Sequence, residues 1–66
     1  MSKTILFKAF CLEAYKEAHG LSGGDALRLF QRHGVLDYLT EEYDILHSMG
    51  ELYIVDDIDR YMTVGR

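Results

Sequence analysis

The chain contains no proline. The commonest helix breaker is therefore missing throughout. A single cysteine, Cys11, excludes an internal disulfide. No Cys/His cluster has the spacing of a structural zinc site. No apolar run approaches the roughly 20 residues that span a bilayer, so no membrane association is expected. The N-terminal MSKTILFKAF is interrupted at Lys8, too soon for a signal peptide. With a lone thiol, these features point to a reducing, cytoplasmic setting. Internal repeats and low-complexity segments are also missing.

Lysine and arginine are missing from residues 35–59, a stretch with a net charge of −8. Residues 1–34 carry a net +2, and the whole chain −4. An acidic half repels nucleic acid and anionic lipid and attracts basic partners. The plainer reading is a solvated face that keeps a small protein soluble.

What is present is an apolar fraction of 48% in 66 residues, too rich for a disordered segment. The length allows one domain, residues 1–66. A chain this short buries a limited core and commonly gains support from a disulfide, a metal or another chain. With the first two disfavoured, a protein partner or a homo-oligomer is expected.

The spacing predicts an all-α domain of four helices. Lys3 to His19 forms the first, closed by Gly20. Phe7, Phe10, Cys11, Ala14, Tyr15 and Ala18 share one face, and Ile5, Ala9 and Leu12 form a second stripe. That second stripe invites cover from another chain. Cys11 lies on the apolar face and reads as a small core residue.

Ser22 with Asp25 is a capping-box variant that starts the second helix, which runs to His33 and ends at Gly34. Ala26, Leu27, Leu29, Phe30 and His33 are expected inside, with Arg28, Gln31 and Arg32 outside. His19 and His33 end their helices, where an imidazolium complements the dipole.

Leu36, Leu39, Tyr43, Leu46 and His47 predict a third helix over residues 36–47 that buries one face. Tyr38 and Ile45 form a narrower second stripe. Gly50 either ends this helix or lies within the fourth, which a Ser48/Glu51 capping box would start at Met49. Ile54, Val55, Ile58, Tyr61 and Met62 share the inner face of the fourth helix, with Asp56, Asp59 and Arg60 opposite. A short strand over residues 52–55 is the alternative, but no partner strand is visible.

No catalytic constellation stands out, so no enzymatic activity, cofactor or small-molecule substrate is expected. LSGGD at residues 21–25 superficially matches the signature loop of ABC-transporter ATPases, but no Walker loop accompanies it, and a glycine-rich turn with a helix cap accounts for it. His47, three residues after Asp44, could join Asp56 and Asp57 at a metal, yet one histidine among scattered carboxylates more often makes one local hydrogen bond.

The second and third helices invite a helix-turn-helix reading. Phe30 stands where that motif prefers a small residue, and Asp37, Glu41, Glu42 and Asp44 would face phosphates. Nucleic acid is therefore not expected as a partner. Tyrosine with an acidic rim suits a protein-binding surface. Tyr43 and Tyr61 are assigned to the core. The candidate contact residues are Tyr38, Glu41, Glu42, Asp44, His47 and Tyr53.

The run FxxxGVLDYLxxxYDILHxxGxxYIVDDIxxYM, residues 30–62, resembles a family of short bacterial proteins of unknown function. Phe30, Gly34, Tyr38, Leu39, Tyr43, Leu46, His47, Asp57 and Ile58 carry the resemblance. Threonine usually follows the histidine in that family; Ser48 here keeps the hydroxyl. The resemblance implies no chemistry, but members are often encoded beside ADP-ribosyltransferase-like toxins, which implies a partner-binding or neutralising role. The expected function is a non-enzymatic interaction module, with a dimeric helix-turn-helix-like regulator as the alternative.

Overall fold

Helix α1 spans Lys3–His19 and is set by caps at both ends. Ser2 Oγ accepts from the Ile5 N–H at 3.1 Å, and Gly20 closes the helix at φ 64°. Helix α2, Gly23–His33, begins in the same way: Ser22 Oγ accepts from the Asp25 N–H at 3.1 Å. The LSGGD segment is thus a turn and a cap. Gly34, at φ 68°, ends α2 and at once begins α3, Val35–Glu41. The one-turn α4 spans Tyr43–Leu46 and α5 spans Glu51–Thr63. This computed structural model describes residues 2–64, and among them no strand occurs.

The expected third helix is therefore two. Glu42 leaves the helical region at φ −99°, ψ 13° and separates α3 from α4. Glu41, Glu42 and Asp44 crowd negative charge near a helix C-terminus, where the dipole disfavours it. Thr40 Oγ1 also donates to the Leu36 carbonyl at 3.1 Å, a bond that competes with regular helix. The break keeps Leu39 and Leu46 buried and sets the Tyr43 ring edge-on to Phe7, centroids 5.4 Å apart.

The join to α5 also differs from expectation. Ser48 does not cap; its Oγ donates back to the Ile45 carbonyl at 3.0 Å. Gly50 neither ends a left-handed turn nor lies inside a helix. It is the N-cap of α5, extended at φ −73°, ψ 161°. Residues 52–55 are helical rather than strand.

One apolar cluster joins α1, α2, α3, α4 and α5 through Phe7, Cys11, Phe30, Leu39, Leu46 and Ile58, among others. Burying each large side chain contributes about 1.5–3 kcal/mol. The radius of gyration, 10.7 Å, is that of a compact domain of this length, about 11 Å. Cys11 is fully enclosed, and burial pushes its thiol up to about 12, as suits a packing residue.

Helix α1 corrects its expected faces. Phe7, Cys11, Ala14 and Tyr15 are buried, but Ala18 and Phe10 are exposed and Leu12 packs on the core. The outward band is Ile5, Leu6, Ala9 and Phe10. Leu27 of α2, placed inside by its spacing, is also exposed.

Candidate functional site

Helix α5 carries three aspartates, and two of them are used within the fold. Asp57 Oδ2 accepts from the Tyr38 hydroxyl at 2.6 Å, while its Oδ1 takes Arg60 at 3.2 Å. Asp59 Oδ1 accepts from the Tyr15 hydroxyl at 2.8 Å, and its Oδ2 from His19 Nε2 at 3.0 Å. These bonds tie α5 to α3 on one side and to the C-terminal end of α1 on the other. The rings reinforce both: Tyr38 stacks on Tyr61 at 3.9 Å, and Tyr15 lies against His19 at 4.3 Å.

Both tyrosines are held protonated. Burial raises the Tyr15 hydroxyl to about 12, assisted by its bond to Asp59 and that carboxylate's charge. Burial likewise raises Tyr38, followed by its bond to Asp57 and the negative charges of Asp57 and Glu42, with Arg60 opposing. Such hydroxyls are poor nucleophiles and poor general bases at neutral pH; their geometry is that of struts.

The six candidate contact residues therefore divide. Tyr38 is half-buried and committed to Tyr61 and Asp57, so it supports the fold from within. Glu42 sits half-buried at the helix break. Glu41, Asp44, His47 and Tyr53 are exposed. His47 stacks on Tyr43 with centroids 4.4 Å apart, and its Nδ1 donates to the Tyr43 carbonyl at 2.6 Å. That bond is local to one turn, and no group of three or more His, Cys, Asp or Glu side chains among the described residues is placed to hold a metal ion.

To Tyr53 and to Ile45 of the second stripe, the structure adds the exposed Met49 and Leu52. Ile45, Met49, Leu52 and Tyr53 are exposed within one short segment, and Leu52 retains 79% of its surface. Leu52 falls outside the Ile54, Val55 and Ile58 stripe, which was the available signal. Exposed Asp44 and Glu51 stand in the same segment, with Asp56 one turn beyond Leu52. The surface around the α4–α5 joint thus combines projecting apolar side chains with negative charge. No cavity opens among the described residues.

The family model described as "Protein of unknown function (DUF3791)" matches residues 6–63. The chain belongs to that family. Its match takes in most of α1 and the whole of the other four helices, including the Tyr38–Asp57 and Tyr15–Asp59 pairs. No curated protein and no solved structure shows significant similarity to the chain. No helix of the described DUF3791 residues is long and apolar enough to cross a membrane.

Proposed function

We propose that this DUF3791 chain is a non-enzymatic protein-binding module that presents the α4–α5 joint to a basic partner. The observation that carries the proposal is Leu52, 79% exposed on a folded helix, in a segment of the chain where Ile45, Met49 and Tyr53 are also exposed. Contiguous exposed apolar residues rimmed by charge mark interaction surfaces. The rim here is acidic: Asp44, Glu51 and Asp56 are exposed, and residues 35–59 contain no cation. A complementary surface would be an apolar depression edged by lysine or arginine, such as the nucleotide- or substrate-binding cleft of an enzyme. The resemblance noted in the sequence makes an ADP-ribosyltransferase-like toxin the leading candidate, bound and neutralised by occlusion of its cleft. A cytoplasmic setting accords with this role.

The regulator reading has the Gly34 corner between α2 and α3 in its favour. Against it, the would-be recognition helix α3 exposes Asp37 and Glu41, which would meet phosphates. The experiment that tests the proposal is titration of a purified ADP-ribosyltransferase-like protein, encoded beside a family member, with the wild-type chain and with Leu52→Asp. Binding that Leu52→Asp weakens by about tenfold or more supports the proposed face. Equal binding by both removes it.

A further inference from the structure

The outward face of α1 lies apart from the residues used above and carries a pattern that fits its own copy. Lys3, Leu6, Phe10 and Glu13 recur at intervals of three, four and three along α1, so they form one stripe. All four are exposed, Leu6 at 55% and Phe10 at 46%. The small, exposed Ala9 follows Leu6 by three residues and precedes Glu13 by four, so it edges the stripe, and Ile5, 53% exposed, lies beyond it. The core-facing residues Phe7, Cys11, Ala14 and Tyr15 lie about a quarter-turn away around the helix.

We infer that two copies of this chain associate through this stripe, α1 against α1 in antiparallel register about a two-fold axis. The stripe is self-complementary in that arrangement alone. A register that sets Leu6 of one copy against Phe10 of the other also sets Lys3 against Glu13. The symmetry repeats each pair, so two apolar contacts are closed by an ion pair at either end. In a parallel pairing Lys3 would meet Lys3 and Glu13 would meet Glu13. Glu13 already receives Lys16 at 2.9 Å on its own helix, yet it remains 58% exposed and has an acceptor oxygen to offer a second cation. Ala9 beside the axis lets the helices approach closely.

This inference goes beyond the proposed binding of an acidic face to a partner and does not depend on it. The face is narrow, so the dimer is of the weak class, with a Kd between about 10 µM and 1 mM.

The test is analytical ultracentrifugation of the full chain across that range. The wild type is expected to convert from monomer to dimer. Leu6→Asp places a charge in the apolar centre and is expected to raise Kd about tenfold or more, with helix content by circular dichroism unchanged because Leu6 is exposed. Lys3→Glu and Glu13→Lys each create like-charge pairs and are expected to weaken association about threefold to tenfold. The double variant Lys3→Glu/Glu13→Lys is expected to recover the wild-type Kd. Leu52→Asp, on the other face, is expected to leave it unchanged. A chain that stays monomeric at about 1 mM overturns the inference, as does a dimer that survives Leu6→Asp or a double variant no better than the worse single one.

Discussion

Tyr38 donates its hydroxyl to Asp57 at 2.6 Å while its ring lies on Tyr61 at 3.9 Å. A residue set between the exposed Asp37 and the buried Leu39 is thereby turned into a brace between α3 and α5. The Asp57 side chain retains only 14% of its exposure, so its oxygen depends on that hydroxyl.

Tyr38→Phe is expected to keep the stack and lose the brace. The cost is about 1–2 kcal/mol, because a mostly buried carboxylate oxygen is left without its donor. In a domain of this size each kcal/mol lowers Tm by about 4–8 °C. Urea unfolding followed by circular dichroism measures it. An unchanged midpoint would mean that Tyr38 and Asp57 do not hold the helices together.

Stability is expected to fall as solutions become alkaline. Cys11 and Tyr15 are each raised to about 12 from ordinary values of 9.0 and 10.0, and Tyr38 is raised too. The folded protein holds these protons more tightly than the unfolded chain does. Their contribution is complete below the ordinary values, declines as the unfolded chain begins to ionise, and is lost as pH passes the raised ones. Tyrosinate absorbance, read with stability from pH 8 to pH 12, checks this. Ionisation of all five tyrosines near pH 10 in the folded chain would contradict it.

Two glycines are expected to respond in opposite directions. Gly34 has φ 68°, and a Cβ there would meet nothing closer than the Tyr61 hydroxyl at 3.9 Å. The cost of Gly34→Ala is therefore backbone strain, about 1–2 kcal/mol. Gly50 has φ −73° and an open Cβ direction, and no side chain caps α5. Gly50→Ser supplies the missing acceptor and is expected to stabilise by a few tenths of a kcal/mol. Thermal unfolding of both variants decides; equal shifts would contradict the assigned caps.

The helix ends around Gly20, Ser22 and Gly34 were legible because capping chemistry is local. So was the inner face of α5, where Ile54, Val55, Ile58, Tyr61 and Met62 are buried or packed on the core. The break at Glu42 was not: the apolar spacing of Leu39, Tyr43 and Leu46 continues across it, while dipole and charge oppose the helix. Ser48 and Glu51 satisfied a capping pattern that Ser48 satisfies elsewhere, through the Ile45 carbonyl. Tyr38 and Asp59 looked like surface because their partners lie 19 to 44 residues away in the chain, a separation that periodicity cannot see. The exposed Phe10 was hidden for the converse reason. An apolar residue is read as inside until a neighbouring element fails to cover it.

The protein-binding role is tested most directly by calorimetric titration of the purified ADP-ribosyltransferase-like protein with the wild-type chain, Leu52→Asp and the charge reversal Glu41→Lys/Asp44→Lys. All three substituted positions are exposed, so the variants are expected to fold as the wild type does. The account predicts binding by the wild type, a loss of about tenfold or more in Leu52→Asp, and a weaker, less salt-dependent association after charge reversal. No binding by the wild type, or binding that none of the substitutions changes, would contradict it.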